Sequence, residues 1–136
     1  MPVAINYSDP AFNRILADLT AEHGKPTLTV CWIHEETAPE AALQAGAITN
    51  GIFWHVLGSA VADPAHPDRL RSQRAHFNDA LPGLDYRQIV LGFRLAPDGT
   101  ARWNTNAEIS GDVGAGMDND LPLNFVGIVE PWSKRP

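Results

Sequence analysis

Cysteine is almost absent from this chain. Cys31 is the only one among 136 residues, so no internal disulfide can form. Set in Leu28-Thr29-Val30-Cys31-Trp32-Ile33, it reads as a small core hydrophobe. Also lacking is any apolar run close to the roughly 18 residues that a membrane span requires. The start, Met1-Pro2-Val3-Ala4-Ile5-Asn6-Tyr7-Ser8-Asp9, has no charged and then apolar secretory pattern. These absences lead to the expectation of a cytoplasmic protein without membrane contact. The apolar content of 44% is enough for one ordinary core, so residues 1–136 read as a single domain.

Positive charge is scarce in particular places. From Pro26 to Asp68 there is no Lys or Arg, while Glu35, Glu36, Glu40, Asp63 and Asp68 are acidic. From Trp103 to Ser133 the same holds, with Glu108, Asp112, Asp118, Asp120 and Glu130. Between them lie Arg69, Arg71, Arg74, Arg87, Arg94 and Arg102, and the formal net charge is -6. Acidic regions of this kind repel nucleic acid and attract cationic surfaces, so no nucleic-acid partner is expected.

Catalytic signatures are missing too. His34, Glu35, His55, His66 and His76 are candidate metal ligands or acid/base groups, but none shows the helical spacing of a zinc motif, and no metal or other cofactor is expected. Ser59 follows a strand without the Gly-flanked nucleophile pattern. The Gly111 to Gly116 run lacks the Lys-Ser/Thr of a phosphate loop, and Asp112, Asp118 and Asp120 lack calcium-loop spacing. The chain is therefore expected not to be an enzyme.

The periodicities that are present describe an α+β domain. Asp9-Pro10 opens a helix over about 10 to 23, with Phe12, Ile15, Leu16 and Leu19 on one side and a stop at Gly24 and Pro26. Thr27 to Ile33 reads as a central strand and Ile52 to Leu57 as another. Between these two, Ala41 to Ala45 fits either a strand or one helical turn. Asp68 caps a second helix running to about Leu81. Tyr86 to Ile109 reads as a β-hairpin turning at Pro97-Asp98-Gly99, with Ile89, Leu91, Phe93 and Leu95 on one face. Gly111 to Asp120 reads as an acidic loop, and Leu123 to Val129 as the last strand. The expected architecture is a mostly antiparallel sheet of five to six strands with two helices packed on it. Trp32 and Trp54 are expected in its core, and Trp103 is a candidate interface anchor.

This layout resembles the YezG-type immunity proteins of bacterial polymorphic toxin systems, through Arg69-Leu70-Arg71 at the opening of the second helix and Ile89-Val90-Leu91-Gly92-Phe93-Arg94-Leu95-Ala96-Pro97-Asp98-Gly99. The resemblance implies a small, acidic, cytoplasmic protein that binds and blocks a cognate toxin domain. The first functional expectation is accordingly a non-enzymatic protein-binding domain, an antitoxin for a basic partner, with Glu35, Glu36, Trp103, Asp112, Asp118 and Asp120 as partner-binding residues. A pocket between helix 1 and a curved sheet, serving small-molecule binding or a small enzyme, is the alternative, and an acidic secretion chaperone is a third.

Overall fold

The computed structural model describes residues 2–34 and 38–136. Three strands with strong apolar patterning are separated from one another by helices. β1 (Leu28–Cys31) leads through α2 (Ala41–Ala47) to β2 (Ile52–Gly58), and β2 leads through a 3-10 turn (Ser59–Ala62) and α3 (Arg69–Ala80) to β3 (Asp85–Leu91). A helical crossover returns the chain to the end from which it started, so the joined strands run parallel. The register confirms it, with Leu28 beside Ile52 and Ile52 beside Asp85. After β3 the chain forms β4 (Phe93–Leu95), β5 (Ala101–Trp103) and α4 (Asn106–Asp118) before β6 (Leu123–Val126) joins β3, also in parallel. The first helix, α1 (Phe12–His23), precedes them all.

The main sheet is therefore parallel, four-stranded and ordered β1-β2-β3-β6. This corrects the expected mostly antiparallel sheet of five to six strands with two packed helices. Among the described residues only β4 and β5 form an antiparallel strand pair, extended by a single antiparallel bridge between Phe93 and Ile128, and there are four α-helices. Pro97-Asp98-Gly99 does turn a hairpin, but a short one, because the residues on either side belong to other elements. β3 is almost continuously buried, as parallel strands covered on both faces are.

Alternation along the strands assigns the helices to the two faces. Cys31, Phe53 and Tyr86 point to one face and pack with Ala42, Ala45 and Phe77 of α2 and α3. Leu16 of α1 joins the same cluster. Trp54, Val56, Ile89, Leu91 and Val126 point to the other face and pack under Ile109, Val113 and Met117 of α4. The chain advances across the sheet in one direction throughout, so its third crossover, passing on the opposite face, has the opposite hand from the first two. Crossovers in parallel sheets are almost all of one hand, so this sheet mixes the two, and its third crossover runs through Gly92 and the β4-β5 hairpin. At Gly92 a Cβ would stand 2.1 Å from the carbonyl oxygen of Ile128, so only glycine fits where the chain leaves β3.

Three local expectations are corrected as well. β1 is an edge strand rather than a central one, and Leu28, Val30 and Trp32 lie exposed on α4's side of the sheet, at the edge beyond that helix. Trp32 is consequently outside the core, whereas Trp54 is inside it as expected. The acidic Gly111 to Asp120 loop is mostly helix. Thr105 accepts from the Glu108 N-H while Glu108 accepts from the Thr105 N-H, a reciprocal cap. Ile109, Val113 and Met117, one turn apart, bury the inner stripe.

Gly111 and Gly114 lie on the outside of α4, where an added Cβ meets nothing within 4 Å. Each costs the helix backbone entropy, so Gly111→Ala and Gly114→Ala should each stabilise the protein by about 0.5 to 1 kcal/mol. Chemical denaturation of both variants checks this, and a loss of stability would contradict the helical assignment of that segment.

Candidate functional site

In an open sheet with parallel strands, ligands collect outside the carboxyl ends of the strands, at the point where neighbouring connections leave toward opposite faces. Here that point lies between β2, whose connection goes to α3, and β3, whose connection goes to α4. A cleft of about 1170 Å³ opens there. Its floor is Leu57, Gly58 and Ser59 at the end of β2 with Leu91 and Gly92 at the end of β3. One side is formed by Trp32, Ile33 and His34 following β1, and another by the 3-10 turn and the first turn of α3. Trp103, Asn104, Asn106 and Arg135 complete the wall. The expected pocket beside helix 1 is not this one, since no α1 residue lines it.

Arg135 is the most constrained charged group of the cleft. Its guanidinium carbon lies 5.1 Å from the Trp103 ring centroid and 5.0 Å from that of Trp132, and its Nε donates to Ser59 Oγ at 2.8 Å. Stacking on indoles and one fixed hydrogen bond hold the planar fork in place. Neither of its Nη atoms bonds a described protein atom, so both stay available. Ser59, only 5% exposed, accepts from Arg135 rather than facing a base, which leaves its hydroxyl proton free to be donated. Arg69 contributes a second guanidinium and spends one N-H on the Ala60 carbonyl at 3.3 Å. The single described carboxylate in the lining, Asp68, faces Arg71 outside the cleft at 3.4 Å. Among the described lining residues the guanidinium groups of Arg69 and Arg135 thus outnumber the carboxylates, in a chain of net charge -6.

Beneath the cleft a partly buried polar chain joins α3 to the sheet. Arg74 of α3 donates to the Tyr86 carbonyl at 3.1 Å, to Gln88 Oε1 at 2.9 Å and to the Pro122 carbonyl at 2.7 Å. Gln88 Nε2 donates to the Leu70 carbonyl and, at 3.4 Å, to Tyr86 Oη. Tyr86 Oη in turn shares a hydrogen bond with His55 Nδ1, 2.8 Å away. His55 is 0% exposed among Phe53, Phe77 and Tyr86, and its Nε2 has no partner. It does not line the cleft, so its placement is that of a core residue and not of an acid or base. Cys31 is buried as expected, and burial pushes its thiol up to about 12.

The predicted partner-binding residues are not brought together. Trp103 stands exposed at the cleft. Asp112, midway along α4, is bonded to Arg94. Asp118 and Asp120 lie at the far end of α4, roughly 18 Å from its start at 1.5 Å rise per residue. Asp120 is paired with Arg87, which also holds Asp85 and keeps that carboxyl below its usual range. Of the three aspartates, Asp118 alone has an unengaged carboxylate. Glu35 and Glu36 lie outside the described residues. No three His, Cys, Asp or Glu side chains converge as a metal site among the described residues. No helix there is long and apolar enough to cross a membrane.

Arg135, Ser59, Arg69 and Trp32 carry the site, and sequence reading assigned binding to none of them. Arg135 and Ser59 are 76 residues apart, and no motif links them. The available signal was the parallel sheet itself, which directs attention to the residues just after each strand. Compared with known protein families, curated proteins and solved structures, the chain matches none.

Burial lowers the His55 pKa from 6.5 to about 4. The folded ring stays neutral while the unfolded chain takes up a proton below 6.5, so this contribution is present above that pH and is lost as pH falls toward 4. The loss is on the order of 3 kcal/mol. Urea unfolding of wild type and His55→Gln across this range should show the extra decline in wild type alone. Identical pH slopes would mean that the buried ring is not held neutral.

Proposed function

We propose that this chain is a binding domain for an anionic small molecule, held in the cleft at the carboxyl ends of β1, β2 and β3. The observation that carries the reading is Arg135, held against the Trp103 and Trp132 rings and on Ser59, with both Nη atoms unspent beside the cleft. A guanidinium fixed before binding loses little side-chain entropy when it meets a carboxylate or phosphate, and its fork matches the two oxygens of either. Ser59 Oγ and the Arg69 guanidinium supply further donors, and Leu57, Val61, Leu91 and Ile109 supply the apolar surface that most ligand sites have.

A second reading, the toxin-blocking protein expected from the sequence, is favoured by one observation. Leu28 and Val30 on the edge strand and Trp32 just after it stand 49%, 48% and 46% exposed in a row, the kind of apolar row that a protein partner covers. The aspartates on which it leaned give it less support, because Arg94 and Arg87 already engage two of them.

Isothermal titration with ribose 5-phosphate and with cyclohexanecarboxylate tests the first reading. Both should bind, more weakly at higher salt, and Arg135→Ala should reduce each affinity at least about tenfold. Arg135→Lys should recover only part, because an ammonium neither stacks nor binds in bidentate fashion. Unchanged affinity in Arg135→Ala would refute the assignment.

A further inference from the structure

We infer that the ligand of this cleft is a planar aromatic anion, with Trp32 as the surface on which its ring stacks. The inference rests on the anion-binding reading above and adds the chemical class of what is bound.

Trp32 follows β1 on α4's side of the sheet, at the edge that helix leaves uncovered, and it is 46% exposed at the side of the cleft. Its core-like neighbours in sequence, Cys31 and Ile33, turn to the covered face and are packed there. The indole therefore contributes little to the core for its size. Its recorded ring contact is His34, at 5.9 Å and tilted by 48°. A large ring held at the mouth of a cleft offers an open face to another ring.

The cleft's size points the same way. At about 1170 Å³ it far exceeds the volume of a phosphate or a carboxylate alone and suits a ligand of nucleotide or drug size. Its two kinds of lining belong to two parts of one molecule. Arg135, Arg69 and Ser59 meet the charged end, while Trp32 and the apolar walls meet a flat, uncharged body. Carboxylate and phosphate share this recognition, since either presents two oxygens to the guanidinium fork. What distinguishes the ligand is the ring.

Matched pairs of probes separate the ring from the charge. Adenosine monophosphate is compared with ribose 5-phosphate, and benzoate with cyclohexanecarboxylate, each titrated calorimetrically into the full chain. The aromatic member of at least one pair should bind about tenfold or more tightly than its non-aromatic counterpart, in line with the usual worth of stacking on an aromatic side chain. The pair that shows the larger ratio tells whether phosphate or carboxylate is the natural anion. Trp32→Ala should bring that ratio close to one by weakening the aromatic member of the pair more than its non-aromatic counterpart, and Trp32→Phe should keep most of it. A ratio near one in wild type, or a ratio unaffected by Trp32→Ala, overturns this inference while leaving the anion site standing. Failure of all four probes to bind, or indifference to Arg135→Ala, overturns the binding reading itself and the inference with it.

Discussion

The rest of the molecule depends on the connections after β2 and β3 leaving the sheet on opposite sides. Both strands are central, and both are buried on two faces, so each face must be covered by helix. Three helices serve one face and α4 the other. Where the two connections part, no backbone can fill the space between them, and the cleft is what remains. The fold thus makes a cavity at that place before any side chain is chosen, and the side chains decide only what enters.

The covering of the first face is pinned by polar as well as apolar contact. Arg74 reaches from α3 to β3 and to the residue before β6, and Gln88 returns to the Leu70 carbonyl of the same helix. Burying such groups costs desolvation, recovered only when every partner is in place. A purely apolar contact would tolerate α3 sliding along the sheet. This network tolerates one position, and the first turn of α3 that lines the cleft is held there with it. The unpartnered His55 Nε2 is the one place among the described residues where a buried side-chain polar atom lacks its hydrogen bond.

Much of the chain was legible as elements and little of it as topology. α1, α3 and β2 fall close to where the sequence put them, because α1 and β2 carry a strong local pattern and α3, with its thin apolar face, is bracketed by Asp68 and Pro82-Gly83. Strand direction has no such local signature. The alternation of Ile89, Leu91, Phe93 and Leu95 ahead of the Pro97-Asp98-Gly99 turn fits a half-exposed antiparallel strand equally well, and it also leaves Arg87 and Gln88 without an assigned place. In the structure Arg87 lies over the Trp54 ring and Gln88 joins the buried network, so neither marks a solvent face. α4 was obscured by its three glycines and its aspartates, which outweighed the Thr105 to Glu108 cap and the stripe at Ile109, Val113 and Met117. Trp32 looked like core because its strand looked central, and only the sheet order shows it at an edge. The binding residues were illegible for the same reason, since nothing local brings Ser59 and Arg135 together.

Gly92 belongs to two accounts at once, and they constrain each other. It is part of the floor of the cleft, and it is also where the backbone passes the Ile128 carbonyl too closely for any other residue. The floor is therefore closed to variation at that position, whatever ligand would profit from a side chain there. Residues on the walls, such as Trp32 and Asn106, carry no comparable obligation to the backbone. Changes in what such a cleft accepts can accumulate on its sides while its base stays as the fold requires, so a family built on this plan would diverge in specificity around an unchanging glycine.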